Sequence, residues 1–256
     1  MDAMNKHRRQ ARIIEMIERS GYVSIGDAAG ALAVTTQTIR RDFDELIEVG
    51  AISRHRGGAT PNLAGKVANY TTRRTYLGQV KTAIARKLAT LIPARASLFI
   101  ENGTTLEAIG PLLKRDAVAR VVTNNLHLAL FLSGRGFAVA VPAGELREAD
   151  AGIVGEQALR SLEDYRFDLA LVGASAVEPD GSLMEYETGA MMVARTAIAR
   201  ARRAILAVDA TKFRHSAPLR IGPVALVSAL VTDAPPPASI AKAMKQADVA
   251  LHLADA

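Results

Sequence analysis

Residues 21 to 60, GYVSIGDAAGALAVTTQTIRRDFDELIEVGAISRHRGGAT, constrain the fold of this chain more than any other stretch. Two helical patterns lie a short turn apart, and a basic hairpin with paired glycines follows them. That order is the layout of a winged helix-turn-helix, in which one helix enters the DNA major groove and the wing tracks the backbone. Double-stranded operator DNA is therefore the leading partner, and the rest of the chain is expected to sense a signal.

The spacing predicts a first helix from about Lys6 to Arg19, with Ile13, Ile14 and Ile17 on one side and Gly21 just past its end. Ser24 is placed to cap a second, shorter helix, with Asp27 as a weak capping-box partner. Thr35 is placed to cap a third helix from Thr36 to about Val49, whose apolar stripe is Ile39, Phe43, Leu46 and Ile47. Thr36, Gln37, Arg40, Arg41 and Asp44 are left on other faces. Such residues suit DNA, because Gln pairs with adenine, Arg with guanine, and Thr or Arg with phosphate. Arg54, His55 and Arg56 precede Gly57 and Gly58, which permit a tight turn, so the wing would bring its arginines to phosphate or the minor groove. The expected DNA contacts are Ser24, Thr35, Thr36, Gln37, Thr38, Arg40, Arg41, Arg54, His55 and Arg56.

Charge is distributed in the same sense. The formal net charge is +6, yet no Asp or Glu occurs between residues 49 and 100. The basic residues there are Arg54, Arg56, Lys66, Arg73, Arg74, Lys81, Arg86, Lys87 and Arg95. A localised basic field of this kind attracts a polyanion and makes binding fall with salt. The chain contains no cysteine, which excludes disulfides and thiolate metal sites, and its five histidines lack metal-ligand spacing. No cofactor is expected. The opening MDAMNKHRRQ holds no apolar leader, and no run approaches the length of a membrane span, so a soluble cytoplasmic protein is expected.

Residues 1–60 are thus read as the winged helix-turn-helix, 61–76 as a basic linker and 77–256 as an α/β sensor domain. In the last, short apolar strands (SLFI, RVVT, FAVAVP, DLALVG, RAILAVD, SALVTD, VALHLA) alternate with helical patterns. That alternation argues for a mostly parallel sheet covered by helices on both faces, with ligands at the carboxyl ends of the strands. The loop Glu101-Asn102-Gly103-Thr104-Thr105 ends one strand and is read as opening a helix that carries Leu106, Ile109, Leu112 and Leu113 inward. Its backbone N–H groups and hydroxyls suit a phosphate. Thr123, Asn124, Asn125, Gly144, Glu145, Gly155, Glu156, Asp209 and Lys212 fall at the same edge, and Lys212 could give phosphate a point charge.

These residues resemble the DeoR family of bacterial transcriptional regulators over essentially the whole chain. The resemblance lies in TTQTIRRDFDEL and RHRGGA, then in ENGTT, VTNN, AGELR, VGEQAL, VDATKF and VTD. It implies a homodimer or homotetramer that represses transcription until a small phosphorylated sugar or polyol binds. It also implies a sensor with the fold of ribose-5-phosphate isomerase. Within the family, LFIENGTTLEA, GELREADAGIVGE and DGSLMEYE are most similar to members answering glycerol 3-phosphate. The implied effector set is Glu101, Asn102, Gly103, Thr104, Thr105, Thr123, Asn124, Asn125, Gly144, Glu145, Gly155, Glu185 and Lys212. Glu101 stands where the family usually has Asp; Ala143, the turn Gly173-Ala174-Ser175-Ala176, and Ala190 also depart from its pattern. An isomerase is not expected, since no spacing pairs Glu101, Glu145, Glu185 and Asp209 as acid and base. A dinucleotide sensor is not expected either, because no G-x-G-x-x-G follows a strand.

Overall fold

A computed structural model of the chain describes residues 6–20, 22–48, 51–55, 57–61, 70–75 and 77–255. They fall into two units, Met1–Leu77 and Gly78–Ala256. Of the residues singled out above, Gly21, Val49, Arg56 and Lys66 lie outside the described residues, as does the side chain of His55. No described helix is long and apolar enough to cross a membrane.

In the first unit the caps set the element boundaries. Helix α1 (Lys6–Ser20) leads into β1 (Val23–Ser24), α2 (Ile25–Leu32), α3 (Thr36–Glu48), the hairpin β2 (Ile52–His55) and β3 (Gly58–Pro61), and a short α4 (Tyr70–Thr75). Ser24 Oγ accepts the Asp27 N–H at 3.0 Å and donates to Asp27 Oδ2 at 2.6 Å, so Ser24 and Asp27 close the start of α2. Thr35 Oγ1 accepts the Thr38 N–H at 3.1 Å and lies 2.9 Å from Thr38 Oγ1, closing the start of α3. The three strands pair antiparallel in the order β1-β3-β2. Gly57 turns the hairpin at φ 72, a left-handed conformation that Gly adopts without strain. The core is Ile13, Ile17, Val23, Ala28, Ala29, Leu32, Ile39, Phe43, Leu46, Ile52 and Ala59. Arg9 locks α1 onto α3 through both oxygens of the buried Asp42, at 2.5 and 3.0 Å. Within the segment read as a linker, Tyr70–Thr75 is helical.

The second unit begins with α5 (Gly78–Thr90), β4 (Ala96–Ile100), α6 (Thr104–Glu107), β5 (Val118–Thr123), α7 (Leu126–Gly134) and β6 (Val139–Ala140). It continues with β7 (Glu145–Leu146), β8 (Ile153–Val154), α8 (Glu156–Glu163), β9 (Leu169–Val172), β10 (Ala176–Val177), β11 (Ser182–Glu185) and α9 (Thr188–Arg200). It ends with β12 (Ala204–Ala207), β13 (Leu219–Pro223), β14 (Ala229–Thr232), α10 (Ala238–Gln246) and β15 (Ala250–Leu253). Seven strands form one sheet in the order β15-β14-β12-β9-β4-β5-β6, and every neighbouring pair is parallel. Alternate residues enter opposite cores. Phe99, Val122, Ala170, Val172, Leu206 and Leu230 pack with α8, α9 and α10. Leu98, Ile100, Val121, Leu169, Leu171, Ile205 and Val231 pack with α5, α6 and α7.

Two expectations need correction, the helix after ENGTT and the charge at Lys81, and two further elements are added. The helix after ENGTT is a single turn, Thr104–Glu107, followed by a 3-10 turn at Gly110–Leu112. Pro111 stops it, because its ring clashes with the carbonyl four residues back. Leu106, Ile109 and Leu113 still face inward, and Leu112 is half-buried. The AGELR loop contains the antiparallel hairpin β7–β8. The stretch after β9 builds a small antiparallel sheet in the order β10-β11-β13, which no alternation of helix and strand announces. In addition, Lys81 is buried in α5, so it does not contribute to the exposed basic field.

The Arg9–Asp42 pair predicts a specific loss. Removing one partner of a buried ion pair strands the other's charge, typically at about 3–5 kcal/mol. The Arg9 side chain keeps some contact with water, at 13% exposure, so Arg9→Ala is expected to cost less, roughly 2–3 kcal/mol. Urea unfolding of the full chain followed by circular dichroism measures it.

Candidate functional site

The residues expected to contact DNA separate into two groups by exposure. Thr36, Gln37, Arg40, Arg41 and Asp44 stand exposed on α3, while Ile39 and Phe43 face the core. Ser24, Thr35 and Thr38 spend their hydroxyls on the two helix caps. Their positions fix the helix starts, which sets where the exposed face lies. Arg54 projects from β2, exposed, and is ion-paired with Asp44 of α3. The wing arginine therefore has an internal partner in its own unit. An exposed pair of this kind contributes at most about 1 kcal/mol to stability.

In the second unit, the sheet order defines where a ligand can enter. The chain runs from β4 outward to β5 and β6, then returns to the other side of β4 for β9, β12, β14 and β15. Loops leaving the carboxyl ends of β4 and β9 therefore part in opposite directions, and such a switch point leaves a crevice. Glu101 stands there, buried, and its Oε2 accepts the Gly173 N–H at 2.8 Å from across the crevice. Burial pushes the Glu101 carboxyl up from the ordinary 4.5 to about 8; the Gly173 N–H opposes this, the nearby Glu185 charge adds to it, and Arg147 opposes it.

Asn102 follows. Its backbone N–H donates to Asn124 Oδ1 at 2.8 Å, while its own side-chain Nδ2 is buried and has no hydrogen-bond partner. A buried donor without an acceptor costs about 1–3 kcal/mol and calls for one. Gly103, Thr104 and Thr105 are half-buried, and a Cβ on Gly103 would project into open space. Gly103 lies at φ 162, which is extended backbone, so the open space rather than the conformation distinguishes this position.

The buried set Thr123, Asn124 and Asn125 is internally satisfied. Thr123 Oγ1 donates to the Ile100 carbonyl at 2.6 Å, and Asn124 Nδ2 donates to the Ile153 carbonyl at 3.2 Å. Asn125 Oδ1 accepts the Leu128 N–H at 2.9 Å and so caps α7. These side chains fasten the β4 loop, the β5 loop and the β7–β8 hairpin to one another. Gly144 and Gly155 flank that hairpin, both at positive φ. Glu145 and Glu156 are exposed. Glu185 Oε1 accepts from Ser175 Oγ and from the Tyr186 N–H, both at 2.7 Å. Lys212 lies in the turn after β12 that Asp209 caps. There, burial first and the Lys212 charge second hold the His215 imidazole below its usual range.

Spacing gave no signal for Arg147, which forms a two-point pair with the buried Asp150, both bonds at 2.8 Å. It lies in the AGELR run but was not among the expected contacts. Nor did any spacing foretell that Glu101 and Glu185 would feel each other's charge, or that Gly173 would meet Glu101.

Two family models match the chain: the DeoR-like helix-turn-helix domain over residues 9–63 and the DeoR C terminal sensor domain over residues 78–234. The chain is 37% identical over 251 residues to the glycerol-3-phosphate regulon repressor of Escherichia coli K12, spanning 98% of this chain and 100% of that protein. It is also 37% identical over 248 residues to the HTH-type transcriptional repressor CsqR of the same organism, spanning 96% and 94%. Among solved structures, a D-ribose-5-phosphate isomerase in complex with phospho-erythronic acid aligns with 20% identity and a TM-score of 0.39, over 53% of this chain and 54% of that chain. The chain belongs to the DeoR family and is a DNA-binding transcriptional repressor.

Glu101 makes stability depend on pH in a direction that can be worked out. Between pH 4.5 and about 8 the folded chain holds its proton and the unfolded chain does not. Stability from this group is therefore full below 4.5 and is lost as pH rises to about 8, at about 1.4 kcal/mol per pH unit at most. Relative to wild type, Glu101→Gln should gain thermal stability steadily from pH 5 to 8 and no further above that. Differential scanning calorimetry across this range checks it; a constant difference would show that the carboxyl does not titrate there.

Proposed function

We propose that this chain, acting in the cytoplasm as a homodimer or homotetramer, represses transcription from operator DNA and is released by a phosphorylated polyol or sugar. The exposed face of α3 reads base edges, and Arg54, His55 and Arg56 of the wing meet the backbone. The effector sits at the carboxyl edge of the seven-stranded sheet, with its phosphate at Gly103, Thr104 and Thr105. Asn124 and Asn125 hold those loops, and Lys212, after β12, is the cation of the expected set. The observation that carries this reading is the buried, unpartnered Asn102 amide, in the same loop as Gly103, where a Cβ would meet nothing. Such a donor suits a ligand oxygen.

Glycerol 3-phosphate is the first effector to test, because one relative is named for that regulon. CsqR is equally similar at 37%, so identity alone does not choose among phosphorylated ligands. Release requires a ligand that binds the DNA-free state better than the DNA-bound state. Moving the chain from mostly bound to mostly free takes roughly 3–5 kcal/mol of such preference.

Fluorescence anisotropy on the chain's own upstream DNA, titrated with glycerol 3-phosphate and other sugar phosphates, tests the reading. Salt-insensitive binding without sequence preference would overturn it. Replacing both Thr104 and Thr105 by Ala should leave operator binding intact and abolish release. Arg40→Ala should weaken operator binding by about 1–3 kcal/mol if Arg40 reads a base; an equal loss on every sequence would assign it to phosphate.

A further inference from the structure

The crevice between β4 and β9 places acidic groups around a position where an anionic ligand is to bind. Glu101 stands at the end of β4 and Glu185 at the end of β11, close enough for their charges to interact. Between them runs the segment Gly173-Ala174-Ser175, gripped at both ends: Gly173 N–H by Glu101, and Ser175 Oγ by Glu185. The opposing cation is Arg147, beyond β7, which Asp150 already pairs and on which Glu185 and Glu187 also act. With all five groups ionised, four carboxylates face one guanidinium. A further anion entering this neighbourhood works against that excess, and one fewer carboxylate charge favours it.

Glu101 is built to give up its charge. Gly173 occupies Oε2, and no other hydrogen bond reaches this carboxyl among the described residues. Oε1 is therefore the atom left for a ligand. The length of a glutamate side chain lets the carboxyl of a β4 residue take a backbone N–H beyond β9 while keeping that second oxygen available.

We propose that Glu101 meets the effector as a neutral acid, its Oε1–H donating to a hydroxyl or phosphate oxygen of the ligand, so that binding of the anionic effector requires the proton on this side chain. Glu101 is then a specificity residue for a phosphorylated polyol, and Glu185 a positioning residue that keeps the proton on it. The raised Glu101 carboxyl, at about 8, is consistent with this and locates the pH at which the effect begins. The inference rests on the effector reading above.

Isothermal titration calorimetry of the full chain with glycerol 3-phosphate tests it between pH 7 and 9.5, where the ligand's phosphate is already mostly the dianion. The dissociation constant should be flat up to about pH 8 and then rise toward tenfold per pH unit, with about one proton taken up on binding at pH 9 in two buffers of different ionisation enthalpy. Glu101→Gln carries an amide donor that cannot ionise, so its affinity should not change with pH. Glu185→Gln removes a charge that favours protonation, so its break should move to lower pH; a purely structural role for Glu101 would not produce that shift. Binding with the same affinity and no proton uptake at pH 7 and 9.5 would overturn this inference and leave the effector reading standing. Absence of binding by glycerol 3-phosphate and every other phosphate ester at all pH values would overturn both.

Discussion

The central strands of the sensor unit are buried on both faces, and this constraint organises the rest of that unit. β9 and β12 have no exposed residue, so helices must cover each side: α5, α6 and α7 lie on one face and α8, α9 and α10 on the other. β4 starts the sheet in its middle. The chain fills one side of β4 before the other, and the loops at the carboxyl edge are driven apart between β4 and β9. The crevice is therefore a product of strand order. Thr123, Asn124 and Asn125 hold its rim with bonds to backbone or cap positions, so the rim is rigid before any ligand arrives.

Within that rim, hydrogen bonding distinguishes scaffold from reader. Asn124 and Asn125 are buried with their side chains bonded to protein partners. Asn102, from the neighbouring loop, leaves its amide nitrogen with none. The same residue type is thus bonded to the protein at two positions and leaves a donor open at a third. The first unit shows a parallel division: Thr35 and Thr38 are absorbed in a cap, whereas Thr36 and Gln37 between them are free to face outward.

Local chemistry was legible in the sequence wherever a single turn decides the outcome. Ser24 and Thr35 were identifiable as caps because the accepting hydroxyl and the donating N–H are three residues apart. The strands of the parallel sheet were legible as short apolar runs. Pro111 cut short a helix whose inward residues still follow its pattern, so periodicity survived while the helix did not. The β10-β11-β13 sheet escaped notice because its strands are short and one partner lies beyond a helix and another strand. The Glu101–Gly173 bond spans 72 residues, and only the return of the chain to the far side of β4 brings them together. Arg147 was hidden in part for a related reason: its bonded partner Asp150 is in its own hairpin, but the Glu185 charge that also acts on it comes from β11.

The pairing of Arg54 with Asp44 gives the wing a resident rival for any phosphate. Binding a nucleic acid through Arg54 is then an exchange of one anionic partner for another, and not the capture of a bare cation. Dissolved salt loosens the old bond as well as the new one, so this arginine should release fewer counterions on DNA than an unpaired residue would. The tethered carboxylate also sets a threshold. A duplex that offers a phosphate at the right reach wins the exchange, while one that presents it slightly out of place leaves the wing closed on its own helix. If Arg54 meets a phosphate, discrimination by backbone shape follows at this side chain without a base contact.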